Sequence, residues 1–219
     1  MTGLTDRREE AAADGESRFL TRNRLEAFSD GVFAILITIM VLGLRMPNHP
    51  TWTAFSKANV VGTLLLYAFS FVFLGIYWSN HHHMMSLVDR VTGGMLWANL
   101  FLLFWLSLIP FLTRWAGEPP LSSAPIVAYA IVALMSGAGY TILQRAIIRS
   151  QGERSALKAA VGDDLKGKAS LVAYLLSIPL ALVTPWLAIA VFCLVAGMWL
   201  VPDRRIERSM TNRDTVGMS

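Results

Sequence analysis

A single cysteine, Cys193, occurs in 219 residues. Without a second thiol the chain can close no disulfide and build no thiolate metal cluster, so redox chemistry is not expected. Charge is also scarce. Only 16% of the residues are Asp, Glu, Lys or Arg, while 54% are hydrophobic, a balance too apolar for an ordinary soluble domain, where about a quarter of the residues are charged. No long polar stretch is present that would build a separate core. The polar segments are the first 26 residues, the stretch from Ile147 to Lys168 and the tail after Pro202, and each is too short to fold independently. No GxSxG occurs, which argues against a serine enzyme within the membrane, and no internal repeat of the kind common in secondary transporters is visible.

What fills the sequence is apolar runs. Spanning the bilayer core takes about 20 mostly apolar residues, and six stretches approach that length: 27–46, 60–80, 91–113, 124–144, 169–184 and 186–201. The expected fold class is all-α, a polytopic membrane protein of six transmembrane helices. The last two stretches meet at Thr184-Pro185, which predicts a tight helical hairpin turned by the proline. Pro110 and Pro179 should kink or end their helices. In the fourth run Ala133 and Gly137 stand four apart with Ser136, Ala138 and Gly139 beside them, a small-residue face suited to close helix contact. Residues 1–17 and 209–219 have the low hydrophobicity of mobile termini. The first 26 residues carry too much charge for a signal-peptide core, so the first run is expected to remain as a helix.

The basic residues fix an orientation. With the N-terminus in the cytoplasm, sixteen Lys and Arg fall inside and three (Arg45, Lys57, Arg114) outside, the bias that cytoplasmic loops carry. Both termini, residues 1–26 and 202–219, are therefore expected in the cytoplasm of a multi-pass cell-membrane protein. Topology and attraction to anionic lipid account for the positive net charge, and no nucleic-acid partner is implied.

The most unusual segment opens the first run. Arg24, Glu26, Ser29 and Asp30 lead directly into apolar sequence, and an acid at a membrane boundary needs a partner. At about 100° per residue, Phe28, Gly31, Ile35, Thr38, Ile39 and Leu42 fall on one stripe, and Ser29 and Asp30 point away from it. Asp30 also lies in the first turn, where the helix dipole favours an anion. A helix returning from the far side would bring Trp78 and His81-His82-His83 to the depth of Asp30, which permits a polar network between the two ends. Consecutive histidines diverge by about 100° and have no Cys or acid at helical spacing before them, so no metal site is expected. Titration near neutral pH is their other possible role. Thr38 is the only hydroxyl between Gly31 and Leu44, and a hydroxyl so placed ordinarily bonds back to the carbonyl four residues earlier, here Ala34.

Arg24-x-x-x-Phe28-Ser29-Asp30, followed by an apolar helix with Ala34, Ile35, Thr38, Met40 and Leu42, resembles the signature that opens the first helix of the transmembrane protein 175 family of potassium channels. Trp78 and His81 resemble that family's pattern at the end of the second helix. The resemblance implies a homo-oligomer, a tetramer, with the first helices around a central pore. Ile35, Ile39 and Leu42 would form its constriction and Thr38 a hydroxyl layer beside them, while Arg24, Phe28, Ser29, Asp30, Trp78 and His81 would make the motif and its anchoring network. Animal members carry two six-helix repeats and this sequence has one FSD, so the single-repeat prokaryotic type is implied. Nothing resembles the TVGYG carbonyl filter. The expected function is passive conduction of K+ through an apolar constriction that gates by dewetting, with no cofactor and no catalysis. A secondary transporter, a proton-permeable channel and a membrane scaffold are the rival readings.

Overall fold

A backbone surrounded by hydrocarbon can satisfy its polar groups inside one segment only as a helix, and the computed structural model of the chain is helical throughout its described elements. It describes residues 2–44, 49–57, 60–152, 155–162 and 164–200, with side chains from residue 21 onward except at 54, 56, 57 and 160. The elements are α1 (Thr2–Ile39), which tightens into a 3-10 turn (Met40–Gly43), α2 (Trp52–Lys57), α3 (Val60–Ser86), α4 (Gly93–Leu106), α5 (Ile109–Ala116), α6 (Ser123–Gln151), α7 (Ala156–Val161), α8 (Leu165–Val183) and α9 (Pro185–Leu200). Five segments are long and apolar enough to cross a membrane: 21–43, 60–86, 93–116, 123–151 and 165–183. The helix α9 has 16 residues, about 24 Å at 1.5 Å per residue, less than the roughly 30 Å of a bilayer core. The architecture is that of a polytopic membrane protein with five full-length apolar segments and one short one.

Hydropathy located the segments but not their ends. The helix α3 runs six residues beyond Asn80, α6 seven beyond Gln144, and α8 starts four before Ala169, because polar residues extend a helix past the lipid as readily as apolar ones once it is nucleated. The same reasoning corrects the reading of residues 1–17 as a mobile terminus. The helix α1 reaches back to Thr2, through a stretch of Arg, Glu and Ala with good helix propensity, so Asp30 lies well inside the helix and not in its first turn, and the dipole that favours an anion at a helix start does not act on it. The polar stretch from Ile147 to Lys168 contains α7, with Ser155 as its N-cap accepting from the Lys158 amide and Leu157 buried. The tail from residue 201 lies outside the described residues.

The prolines act as their chemistry requires. Pro110 has no N–H to return to Leu106, and the third apolar run divides there: α4 ends at Leu106 and α5 begins at Ile109 with the proline in its first turn. At the other break Thr184 is extended, its N–H closes on Leu180 O at 3.0 Å, and α9 starts at Pro185. Pro179 is accommodated inside α8.

The segments run up and down. One end of the bundle gathers the part of α1 around Asp30, the end of α3, the start of α4 and the junctions around α7, as shown by Trp78 to Asp30, Gln151 to Leu87 O and Gln144 to Asp164. The opposite end gathers Met40, Thr63, Thr113 and Gly117. The helix α6 is the centre of the packing, set against α4 on one side and α8 on the other. Its small residues make this possible. A Cβ on Gly139 would stand 3.0 Å from the Leu102 Cα of α4, and one on Gly137 would stand 3.1 Å from the Leu171 side chain of α8. Near the opposite end a second tie joins three helices: Thr113 Oγ1 lies 2.7 Å from Ser70 Oγ, which lies 3.2 Å from the Tyr129 hydroxyl.

Candidate functional site: the first helix and its anchor

Two faces of α1 have opposite character. Leu25, Ser29, Phe33, Leu36 and Met40 are buried against the bundle, at the three-and-four spacing of one helix face. The stripe read from the sequence faces away. Ile35 is 61% exposed and Leu42 79%, and Phe28, Gly31, Thr38 and Ile39 are exposed with them. Among the described residues no helix covers this flank, which is apolar apart from Thr38. The Thr38 hydroxyl lies 2.8 Å from Ala34 O and 3.1 Å from Ile35 O. Its proton is thereby committed to the backbone and its lone pairs are left on the exposed side.

The buried face carries one polar group, Ser29, and it is fully satisfied. Ser29 Oγ donates to Leu25 O at 2.9 Å and accepts from Asn99 Nδ2 of α4 at 2.9 Å. Asn99 Oδ1 in turn lies 2.8 Å from His81 Nε2 of α3. The donor order settles the histidine tautomer: an amide oxygen can only accept, so His81 carries its proton on Nε2. All three side chains have no exposed surface, and the Phe33 ring lies 5.8 Å from the His81 ring, centroid to centroid. Three helices are thus joined by directional bonds inside an apolar bundle, where an unpartnered polar group is costly.

Asp30 begins a second, more exposed layer. Its Oδ1 accepts from Trp78 Nε1 at 2.9 Å. One turn back, Glu26 Oε1 sits 2.8 Å from His82 Nδ1, and the His82 ring stacks on Trp78 at 6.1 Å and 27°. The structure therefore brings Ser29, Asp30, Trp78 and His81 to one end of the bundle, as the polar network required. Arg24 is exposed and takes no part in the bonds of either layer among the described residues. Phe28 sits on the outer stripe rather than in the network.

Two participants escaped the sequence reading. Asn99 is the hub of the buried layer, and its signal was available: a lone amide within an apolar run, which needs a partner in a membrane. Glu26 was noticed only as one of the charges ahead of the apolar run. Its pairing with His82 crosses from α1 to α3, so spacing along a single helix could not reveal it.

A family model described as the endosomal/lysosomal potassium channel TMEM175 matches residues 24–110, the span from Arg24 through α4 to Pro110 that contains both layers. A potassium channel of Chryseobacterium sp. (strain P1-3) is 48% identical over 191 residues, covering 87% of this chain and 98% of the relative. The chain belongs to the TMEM175 family. Membership makes it a multi-pass protein of an ion-channel family and not an enzyme. The crystal structure of a lysosomal potassium-selective channel TMEM175 homolog from Chamaesiphon minutus superposes with a TM-score of 0.66 at 27% identity, covering 84% of this chain and 98% of that one. The endosomal/lysosomal proton channel TMEM175 of Danio rerio is 32% identical over 114 residues, which is 48% of this chain and 22% of the relative.

Proposed function

We propose that this TMEM175-family chain forms a potassium-permeable channel in which several copies, four on the family resemblance, bring the exposed stripe of α1 together around a shared axis. The observation that carries this reading is the division of α1 itself: its inner face is tied to α3 and α4 by buried hydrogen bonds, while Ile35, Thr38, Ile39 and Leu42 are left uncovered on the outer face. The potassium assignment rests on the names of the Chryseobacterium and Chamaesiphon relatives.

On this reading Ile35, Ile39 and Leu42 form a narrow apolar constriction, which excludes water when tight and conducts when slightly widened. Thr38 lies among them with its proton on Ala34 O, so its oxygen presents lone pairs, the polarity that favours a cation. Both chain ends lie in the cytoplasm, in keeping with the distribution of basic residues. The proton channel named among the vertebrate relatives gives a second reading, in which protons share the path.

Purified protein in liposomes with a K+ gradient is expected to pass K+ down that gradient with no coupling ion. Ile35→Asn should wet the constriction, raising conductance and lowering the preference for K+ over Na+. Wild-type currents from the variant would remove Ile35 from the gate, and a flux that requires a second ion would replace the channel by a transporter. Recording across a proton gradient separates the proton reading.

A further inference from the structure

The outer layer around Glu26 and Asp30 of α1 has a composition that structural anchoring alone does not require. Glu26, Asp30 and His82 each present a ligand atom, and these three atoms lie within 4.8 Å of one another. They come from two helices, α1 supplying the carboxylates and α3 the imidazole. The set is organised. The Trp78 indole donates to Asp30 Oδ1 and stacks on the His82 ring, so one aromatic side chain holds a carboxylate and turns the imidazole, the role that outer-shell partners play around bound metals. Glu26 Oε1 and His82 Nδ1 already stand 2.8 Å apart. Ligand atoms around a tetrahedral zinc, at bond lengths of about 2.0–2.2 Å, stand about 3.3–3.6 Å apart. The Glu26–His82 pair must therefore open slightly and the set as a whole contract by about 1 Å. Glu26 is 15% exposed and His82 50%, so an ion can reach the site from solution.

We infer that Glu26, Asp30 and His82 form a binding site for a divalent transition-metal cation of the zinc type, with water completing its coordination. One imidazole with two carboxylates suits such an ion, whereas Mg2+ prefers oxygen ligands alone. Because the ligands come from two helices, an ion there clamps the Glu26–Asp30 turn of α1 to the end of α3. If the outer stripe of α1 lines the conducting path, the clamp restrains the gate. This second step rests on the proposed channel function, while the binding step does not.

The test uses the full chain without an affinity tag. Zn2+ binding to detergent-purified protein is measured by isothermal titration calorimetry, with Mg2+ as the control ion, and K+ flux is measured in liposomes with and without Zn2+ on both sides. One zinc per chain is expected, with affinity weakened at least about tenfold by Glu26→Gln and by His82→Ala, the lower end of what even outer-shell partners contribute, and retained in His83→Ala. Zinc should lower K+ flux in wild type, and His82→Ala should shift the half-inhibiting concentration upward by a similar factor. Equal zinc affinity in wild type, Glu26→Gln and His82→Ala would overturn the site. Ligand-dependent binding with unaltered flux would overturn the clamp and leave the site standing. Absence of flux in zinc-free wild type would count against the channel, while calorimetry would still decide the site.

Discussion

Asn99 offers the most demanding test of the buried layer, because it is the only side chain that touches both of the others. Replacing it with Leu keeps the volume roughly constant, so the change is largely one of hydrogen bonding. Its two neighbours are affected unequally. Ser29 keeps its bond to Leu25 O and loses only an accepted bond at a hydroxyl oxygen. His81 loses the acceptor of its Nε2 proton, and its Nδ1 already has no partner among the described residues. A fully buried imidazole is then left with neither nitrogen satisfied, and a buried orphan of this kind costs about 1–3 kcal/mol. Interhelical hydrogen bonds in membrane proteins average nearer to about 0.6 kcal/mol, because the dissociated helices find other partners, so the two estimates bracket the effect. The discriminating variant is the double mutant Asn99→Leu with His81→Leu. Removing both partners leaves no orphan and should recover part of the loss, giving a favourable coupling between the sites of about 0.6 kcal/mol or more. Thermal unfolding of detergent-purified wild type, both single variants and the double variant measures this coupling. If the double variant loses the sum of the two single losses, the hydrogen bond contributes nothing to stability and the account of the anchor is wrong.

Gly139→Ala places a methyl 3.0 Å from the Leu102 Cα, a backbone atom that moves only with its helix, so α4 and α6 must separate and the unfolding midpoint should fall. Gly197→Ala meets nothing within 4 Å and should be neutral or stabilising by up to about 1 kcal/mol, the usual helical gain of Ala over Gly; equal effects of the two would refute the close-approach argument. Asp30→Ala should reduce the yield of assembled, conducting protein, measured by size-exclusion chromatography and liposome flux, without changing the K+ to Na+ ratio of what survives. Trp78→Phe, which removes the donor to Asp30 but keeps an aromatic ring beside His82, should do the same more mildly. A well-folded Asp30→Ala protein with normal flux would defeat both expectations.

Sequence patterns reported what depends on one helix at a time. The stripe through Ile35 and Leu42 and the opposite placement of Ser29 follow from helical geometry alone, and the exposures agree. The hairpin at Thr184-Pro185 and the break ahead of Pro110 follow from the chemistry of proline. Relations between helices were legible only where a residue was conspicuous. Trp78 and His81 could be matched to Ser29 and Asp30 because they are odd at that depth, whereas Asn99, a lone amide in an apolar run, announces only that it needs a partner, and which partner comes from where α4 is placed. The ends of α3, α6 and α8 were misread for a different reason: apolar composition records the thickness of the membrane, and helices do not stop where the lipid does.

The division between directional and non-directional contacts along α1 bears on how its outer stripe can move. Around Ser29 and Asp30, the hydrogen bonds that Asn99 donates to Ser29 and Trp78 donates to Asp30 fix both the distance and the rotation of the helix. Near its end the neighbours are softer. Met40 meets the Thr113 hydroxyl through sulfur at 4.0 Å, and Gly43 lies beside the aliphatic stem of Arg114. Contacts of that kind hold a distance but resist twisting weakly, and the helix has already tightened into a 3-10 turn there. If copies assemble around a shared axis as proposed, a rotation that widens the path between them would pivot about Ser29 and grow toward Gly43, displacing Leu42 more than Ile35. On that proposed reading Leu42 would shift most on opening, whereas Ile35, close to the pivot, would keep its distance from the axis.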